Sequence, residues 1–524
     1  MKKIITILFV FVLSKTLFST NYYISTSGSD LSTGLIGFPK KTLQSVISTY
    51  TLVSGDIIYV AAGTYTTESN ITIGATDVNF SIIGASASTT IFSFDQTNRF
   101  LTLNSTNDNI SFSKITIKNY KKSSDGGAIL MNSGSDNCTF TSVIFDNCDA
   151  NTAKGGALYL DGNVVTFSKC IFKNCDASSY GGAIAAYNST CNLNISKCTF
   201  FSNTGTYGSA LEIEGTSSSL TITNSLFYKN TCSSNGTIGW DKGTSAVITN
   251  CTITYNSGPN SGIVQWDLLS NNPVSNIKNT ISYNNTGSSN SDFYENGGTI
   301  NLYNCLSTSN NTSTSLVSIH GTISSCIIGS PSFTNNVIDD YTLLVSSNCI
   351  NAGLNVASGG MSDDLNSFTR INLPDVGAFE YSTVLPVELI SFKGKSFDGY
   401  NELYWITASE NNNDYFILQK SNDGINFYEI FRINGAVDSK IEINYNFTDY
   451  NIETKVNYYI LKQVDYNGFE KSTDIISLEN KFNNLFIVKK TNLIGQEIDD
   501  YYSGLVLFIY NDGTIIKKYI TSNK

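Results

Sequence analysis

Seven asparagines, Asn119, Asn147, Asn174, Asn203, Asn230, Asn256 and Asn284, return at steps of 28, 27, 29, 27, 26 and 28 residues, each closing a short apolar run such as VIFDN, CIFKN or LFYKN. A second phrase keeps the same beat: Gly126-Gly127-Ala128, Gly155-Gly156-Ala157, Gly181-Gly182-Ala183, then Gly208-Ser209-Ala210. A period of this length with slight drift marks stacked repeats rather than an ordinary globular core. The runs are β-branched and aromatic and too short for helices, so each repeat reads as a coil of short strands. Asparagine tolerates the left-handed conformation of a sharp turn, and its amide can bond to the asparagine of the next coil. The seven residues are therefore expected to form a structural ladder up an all-β solenoid.

Composition narrows the partners. Charged residues make up only 14% of the 524, and Ser, Thr, Asn and Gly are abundant, which suits turns and polar outer faces on β structure. A net charge of −11 with pI near 4.7 disfavours nucleic acid or an anionic membrane as partner. The chain opens MKKIITILFVFVLSKTLFST, with Lys2 and Lys3 ahead of the apolar stretch Ile4 to Leu13 and a small-residue zone at Ser19-Thr20. This is the pattern of a cleaved secretory leader over residues 1–20, and no other segment has the length of a transmembrane helix. Eleven cysteines leave at least one unpaired. Cys170, Cys198 and Cys251 share one repeat position, and Cys148 and Cys175 each follow a ladder asparagine, so they read as small interior hydrophobes rather than a disulfide framework. With a single histidine, His320, in a Ser/Thr-rich stretch, and no CxxC pair, neither zinc nor a histidine-based triad is expected.

Four segments follow one another. After the leader, Leu43, Val46, Ile47 and Tyr50 have helical spacing behind Pro39, as a cap on the open end of a solenoid requires. The phrases Tyr22 to Asp30, Pro39 to Gln44 and Gly55 to Tyr65 resemble the opening of secreted right-handed parallel β-helix proteins, polysaccharide lyases among them. The coils near Ile71 to Cys326 resemble the same pectate-lyase-like superfamily, and Asp364 to Arg370 followed by DVGAFEY resembles the end phrase of extracellular β-helix proteins of Bacteroidota. That resemblance implies a right-handed parallel β-helix over 21–382 with an N-terminal capping helix. Residues 383–480, with ELYWITASE, DYFILQKSNDGINF and YYILKQVDYNG, resemble fibronectin-type-III-like modules, which implies a small β-sandwich with Trp405 in its core and a corner bond from Tyr458 or Tyr459. Residues 481–524, with NLIGQEI, SGLVLFIYNDG and IIKKYI, are similar to type IX secretion sorting domains but lack the usual Tyr-Pro-Asn-Pro opening strand. The resemblance implies the type IX secretion machinery as a partner, and a secreted or cell-surface location.

The chemistry is sought by aligning the coils on the Gly-Gly phrase, which yields AILMN, ALYLD, AIAAY, ALEIE, TIGWD and IVQWD. Positions two and four are mostly apolar and should face inward, so three and five should face outward. Position five then reads Asn132, Asp161, Tyr187, Glu214, Asp241, Asp267, and position three Leu130, Tyr159, Ala185, Glu212, Gly239, Gln265. Coils stack about 4.8 Å apart, so these form two vertical stripes of carboxylates and tyrosines on one face. Tyrosine faces pack on sugar C–H surfaces, and carboxylates accept sugar hydroxyls or hold calcium. Tyr159, Asp161, Tyr187, Asp267 and Lys242 are the candidate ligand-binding residues.

Glu212, Glu214 and Asp241 are the candidate catalytic group, since adjacent carboxylates can raise one another's pKa and divide into acid and base. No cofactor is called for beyond calcium on these carboxylates. The coils carry no arginine-centred lyase motif, and Arg99 is the only arginine between the opening strands and the closing segment. Two readings stay open: a surface protein that binds extracellular polysaccharide or another macromolecule without turning it over, and a polysaccharide lyase or glycoside hydrolase using the carboxylate stripe.

Overall fold

The computed structural model describes residues 19–188, 190–216, 218–260, 262–266, 272–287, 292–308, 319–355, 363–370, 373–381, 389–439, 441–452, 454–465, 470–480, 487–498, 502–511 and 513–520. The leader, apart from its last two residues, lies outside them, as does Asp267. The chain divides into two compact units, residues 1–381 and 382–524. The first is a right-handed parallel β-helix. One coil shows the pattern: Val164–Ser168 belongs to a first sheet of twelve strands, Ile171–Lys173 to a second of eleven, and Ile184–Tyr187 to a third of nine. Between the second and third, Asp176–Tyr180, Thr204–Tyr207 and Thr231–Cys232 add a short three-stranded ladder.

The interior is built from columns of like residues. Phe145, Phe172, Phe200 and Phe227 stack with ring centroids 4.9, 4.5 and 4.6 Å apart. The cysteines are all free and, except Cys326, buried.

The asparagine ladder proves to be two ladders one residue apart. The left-handed corner between the second and third sheets is occupied in turn by Asn119, Asn147, Asn174, Ser202, Lys229, Tyr255 and Asn284, with φ between 53° and 62°. Asn203, Asn230 and Asn256 come one position later, opposite Cys148 and Cys175, and point into the core, where all three are buried. Asn203 Nδ2 donates to Asn230 Oδ1, Asn230 Nδ2 to Asn256 Oδ1 and Asn256 Nδ2 to Asn285 Oδ1, each at 2.9 Å. Each amide also donates to a carbonyl of the preceding coil, of Phe172, Phe200 and Phe227 respectively. Each oxygen accepts a backbone N–H as well, for instance Asn203 N on Asn230 Oδ1 at 3.0 Å. The series ends at Asn285, whose amide donates to the buried Asp292. The expected single ladder fails because a one-residue shift turns a side chain from the outer face to the inner one. The even 26- to 29-residue steps concealed that shift.

The capping helix runs Leu43–Thr49, buries Leu43, Val46 and Ile47, and is capped by Thr42, whose hydroxyl accepts Ser45 N at 3.1 Å. It starts four residues after Pro39, because Asp30 holds the intervening Lys41 and Thr42 amides at 3.0 and 2.9 Å. Glu68 accepts the Leu43 and Gln44 amides of its first turn, and burial pushes the Glu68 carboxyl up to about 7.

In the second unit, Leu389–Phe397, Tyr400–Thr407 and Ile443–Asp449 form one antiparallel sheet, and Glu410–Ser421, Tyr428–Ser439, Val456–Asp465, Glu470–Ser472 and Ile476–Glu479 another. Leu403 and Trp405 of the first pack with Phe416, Leu418, Tyr459 and Leu461 of the second. Tyr459, not Tyr458, makes the buried hydroxyl bond, donating to Asp449 Oδ2 at 2.7 Å. Ile487–Thr491, Gly504–Tyr510 and Ile515–Ile520 form a separate three-stranded antiparallel sheet.

Two outcomes follow from these contacts. Asn230→Ala strands two donors of Asn203 and should cost on the order of 3 kcal/mol, whereas Asn174→Ala, at the partly exposed corner, should cost about 1 kcal/mol; chemical denaturation of both variants measures the difference. A carboxyl raised from about 4.5 to about 7 favours the fold fully below pH 4.5, and that contribution disappears as pH rises through 7, a loss of about 3 kcal/mol. Denaturation midpoints of Glu68→Gln should therefore fall less than those of the wild type between these pH values.

Candidate functional site

The third sheet carries the candidate residues. Its first outward column runs Thr102, Leu130, Tyr159, Ala185, Glu212, Gly239, Val264 and Tyr294. In the second outward column Asp161 pairs with Tyr187, and Glu214 and Asp241 continue the ladder through Glu214 N to Ala186 O and Asp241 N to Ile213 O. The last coil departs from the expected alignment. Ile263 pairs with Ile238, so Gln265 stands opposite the buried Trp240 and faces inward, where its Oε1 accepts Trp240 Nε1 at 3.1 Å. Here Gly262 fills the place that Thr237 holds one coil earlier, and reading Ile263 there displaced the coil by one residue.

Glu212, Glu214 and Asp241 do come together, but as a covered group, with exposures of 3, 8 and 3%. Glycine makes this packing feasible. A methyl group at Gly239, directly above Glu212, would overlap Glu212 Oε2, and one at Gly208 would overlap it from the side. Glu212 Oε2 has no hydrogen-bond partner among the described residues. Burial, then the nearby Glu214 and Asp241 charges, push the Glu212 carboxyl well above the usual range, so it stays protonated where an ordinary glutamate has ionised. Glu214 has a different environment. Its Oε2 lies 3.0 Å from Lys242 Nζ. Burial works against the Lys242 charge, but the hydrogen bond and charge of Glu214, aided by Tyr187 and Asp241, outweigh it and raise the ammonium pKa.

Tyr187 is the meeting point. Lys154 Nζ lies 4.5 Å and Lys242 Nζ 4.7 Å from its ring centroid, both within cation–π range. Tyr180 packs against it at 5.5 Å and stacks on Tyr207 at 4.8 Å. Burial first, then Glu214, Tyr187, Tyr207 and Glu212, push the Tyr180 hydroxyl up to about 12. The tyrosine therefore remains a neutral hydrogen-bond donor. On the preceding coil Tyr159 is buried and accepts Asn188 Nδ2 at 2.8 Å, while Asp161 is only half-buried.

Sequence reasoning missed Lys154, Tyr180 and Tyr207. All three stand immediately before the Gly-Gly phrase, at Lys154-Gly155, Tyr180-Gly181 and Tyr207-Gly208, so the alignment already used would have found them one position earlier. Among the described residues no three carboxylate, histidine or cysteine side chains are grouped to hold a metal ion. The position beside Glu214 is filled by the Lys242 ammonium. His320 lies apart from this group, with Nδ1 3.0 Å from Glu295 Oε1.

Residues 102–278 match the family described as the right handed beta helix region. No curated protein sequence matches the chain. Among solved structures, a rhamnogalacturonan lyase is 14% identical over 60% of this chain and 91% of its own, with a TM-score of 0.38. A pectin methylesterase from carrot is 14% identical over 59% and 89%, with a TM-score of 0.36. The A-module of the Azotobacter vinelandii mannuronan C-5 epimerase AlgE6 is 15% identical over 55% and 94%, with a TM-score of 0.30.

The protonated state of Glu212 has a direct consequence. While Glu212 holds its proton, Glu212→Gln replaces a neutral group by a neutral isostere and should change stability by less than about 1 kcal/mol. Gly239→Ala should cost about 1–3 kcal/mol through overpacking. Thermal melts of the two variants check the pair, and the protonated-carboxyl infrared absorption of the wild type at pH 6, to which Glu68 also contributes, should be weaker in Glu212→Gln.

Proposed function

We propose that this is an exported or cell-surface β-helix protein that binds extracellular polysaccharide on its third sheet without turning it over. The observation that carries the reading is the Tyr180–Tyr187–Tyr207 group with Lys154 and Lys242 at the Tyr187 ring. Tyrosine rings offer flat apolar surface to sugar C–H groups, and hydroxyl and ammonium groups at their margins supply directional bonds. Tyr207 is 38% exposed, which leaves ring surface free for a ligand.

Export rests on the leader-like start and on the resemblance of the closing segments to fibronectin-type-III-like and type IX sorting modules of Bacteroidota. On this reading the partner of residues 481–524 is the secretion machinery. Removal of residues 492–524 should then hold the protein in the cell envelope, and normal release of the shortened chain counts against it.

One observation favours a second, catalytic reading as lyase or hydrolase. Glu212 keeps its proton while Glu214 pairs with Lys242, a division resembling that between acid and base in glycoside cleavage. Against it, the 3% exposure of Glu212 keeps its carboxyl out of reach of a polymer.

Affinity electrophoresis against a panel of acidic and neutral polysaccharides separates the readings. Retention by at least one polymer is expected, and Tyr180→Ala or Tyr187→Ala should weaken it about tenfold, the equivalent of one lost aromatic contact. Retention unchanged in both variants, or none by any polymer, removes the binding reading. New reducing ends or unsaturated uronides that vanish in Glu212→Gln establish the catalytic one.

A further inference from the structure

Ten of the eleven cysteines are buried, and only Cys326 is partly exposed. It belongs to the last described coil, where the first sheet ends at Ile323–Ser324 and the second at Ile327–Ile328. The register places Cys305 directly before it in the stack: Leu306 pairs with Ile327, and Ile327 N donates to Cys305 O at 2.7 Å. Cys305 and Cys326 therefore stand at the same position of successive coils, each one residue before a paired strand residue. Cys326 Sγ also contacts Ser324 O at 3.6 Å, and Cys305 Sγ contacts Ile277 O at 3.4 Å and Tyr303 O at 3.5 Å.

The Cys148–Cys175 and Cys170–Cys198 pairs have the same stacked arrangement. They are sealed inside the helix with further coils on either side, so no reagent reaches them.

We propose that Cys326 is the reactive thiol of this protein, a site of thiol–disulfide exchange with small-molecule disulfides, and that Cys305 resolves the mixed disulfide into a Cys305–Cys326 bridge. In the first step the Cys326 thiolate attacks one sulfur of the disulfide, the S–S bond breaks, and one thiolate leaves. In the second, Cys305 gives up its proton to solvent and attacks Cys326 Sγ, and the other half of the reagent leaves as a second thiolate. Two protein thiols are oxidised and the reagent disulfide is reduced, so the electrons balance.

Cys326 is partly exposed and Cys305 is buried, so Cys326 meets the reagent first, and its pairing with Cys305 lowers its thiol pKa. The Cys305 thiol is raised, by burial first and then by the same pairing, so it acts second. A disulfide needs a Cβ separation of about 3.8 Å, closer than parallel neighbours normally stand. The strands on either side of Cys326 are only two residues long, so few ladder bonds hold that coil at the ordinary spacing.

The full-length chain, kept free of reductant, provides the test. Treatment with an aromatic disulfide under native conditions should release two aromatic thiolates per chain, one in Cys305→Ser and none in Cys326→Ser. After incubation with oxidised glutathione, intact mass should fall by two hydrogens, with peptide mapping joining Cys305 to Cys326. In Cys305→Ser the product should stop at a glutathione adduct on Cys326. That variant is expected to fold, because the same column holds Ser225 and Thr280 in other coils. Release of more than two thiolates, of none, or release unchanged in Cys326→Ser overturns the site. A stable glutathione adduct on wild-type Cys326 overturns the role of Cys305.

Discussion

The buried amide column Asn203–Asn230–Asn256–Asn285 is the interaction on which the register of the central coils depends. A primary amide in an apolar core is costly unless its donors and its acceptor are all used. Here each is used, but only while successive coils stay in step: one hydrogen goes to the next amide, one to a carbonyl of the preceding coil, and the oxygen takes a backbone N–H. A slip of one residue would leave several polar groups of each coil unpaired. Hydrophobic columns such as Phe172–Phe200–Phe227 supply attraction but discriminate less between registers, because flat rings tolerate sliding. Burial thus holds the coils together, and the amides decide how they align.

The register also explains which parts of the molecule could be read from the chain. Coil length, strand type and the capping helix near Leu43 depend on local pattern, and local pattern is visible in a sequence. The identity of the ladder was harder to read, because Asn174 and Asn203 lie 29 residues apart while their coils are offset by 28, and this single extra residue carries the side chain from corner to core. The same kind of error misplaced Gln265. In a solenoid, periodicity locates a coil to within a residue, whereas orientation changes with every residue.

The candidate site shows a related limit. Outward columns containing Glu212, Glu214 and Tyr187 follow from alternation, and the structure brings those residues together. Alternation cannot reveal that a glycine one coil away determines whether an outward carboxyl meets water. Gly239 leaves a void that Glu212 fills, and filling it changes an expected surface charge into a buried neutral acid. Lys154, Tyr180 and Tyr207 were passed over for a different reason: they stand just before the Gly-Gly phrase, Tyr180 and Tyr207 at the ends of the short ladder strands, so an alignment begun after that phrase leaves them out.

A second set of corner residues holds the closing segment against the coils. Asn224, Asn250, Asn279 and Asn304 occupy the left-handed corner between the first and second sheets, with φ of 46° to 53°. Their amides donate outward to the carbonyls of Asp363, Asp375, Leu354 and Ala352 at 2.7 to 3.2 Å, so they fasten the closing segment along that flank. Arg370 completes the attachment through Glu380 at 2.9 Å, Gly377 O at 3.0 Å and Asn224 Oδ1 at 2.9 Å. Val376, Ala378 and Phe379 of this segment pack in clusters with Leu226, Tyr228, Ile281 and Leu306 of the second sheet. The asparagine corners therefore act in three ways. One row fastens a cover over the second sheet, one lies inside and sets the register, and one turns the chain toward the third sheet. Among the described residues of this unit, the closing segment packs on the second sheet, and the tyrosine and lysine group lies on the third.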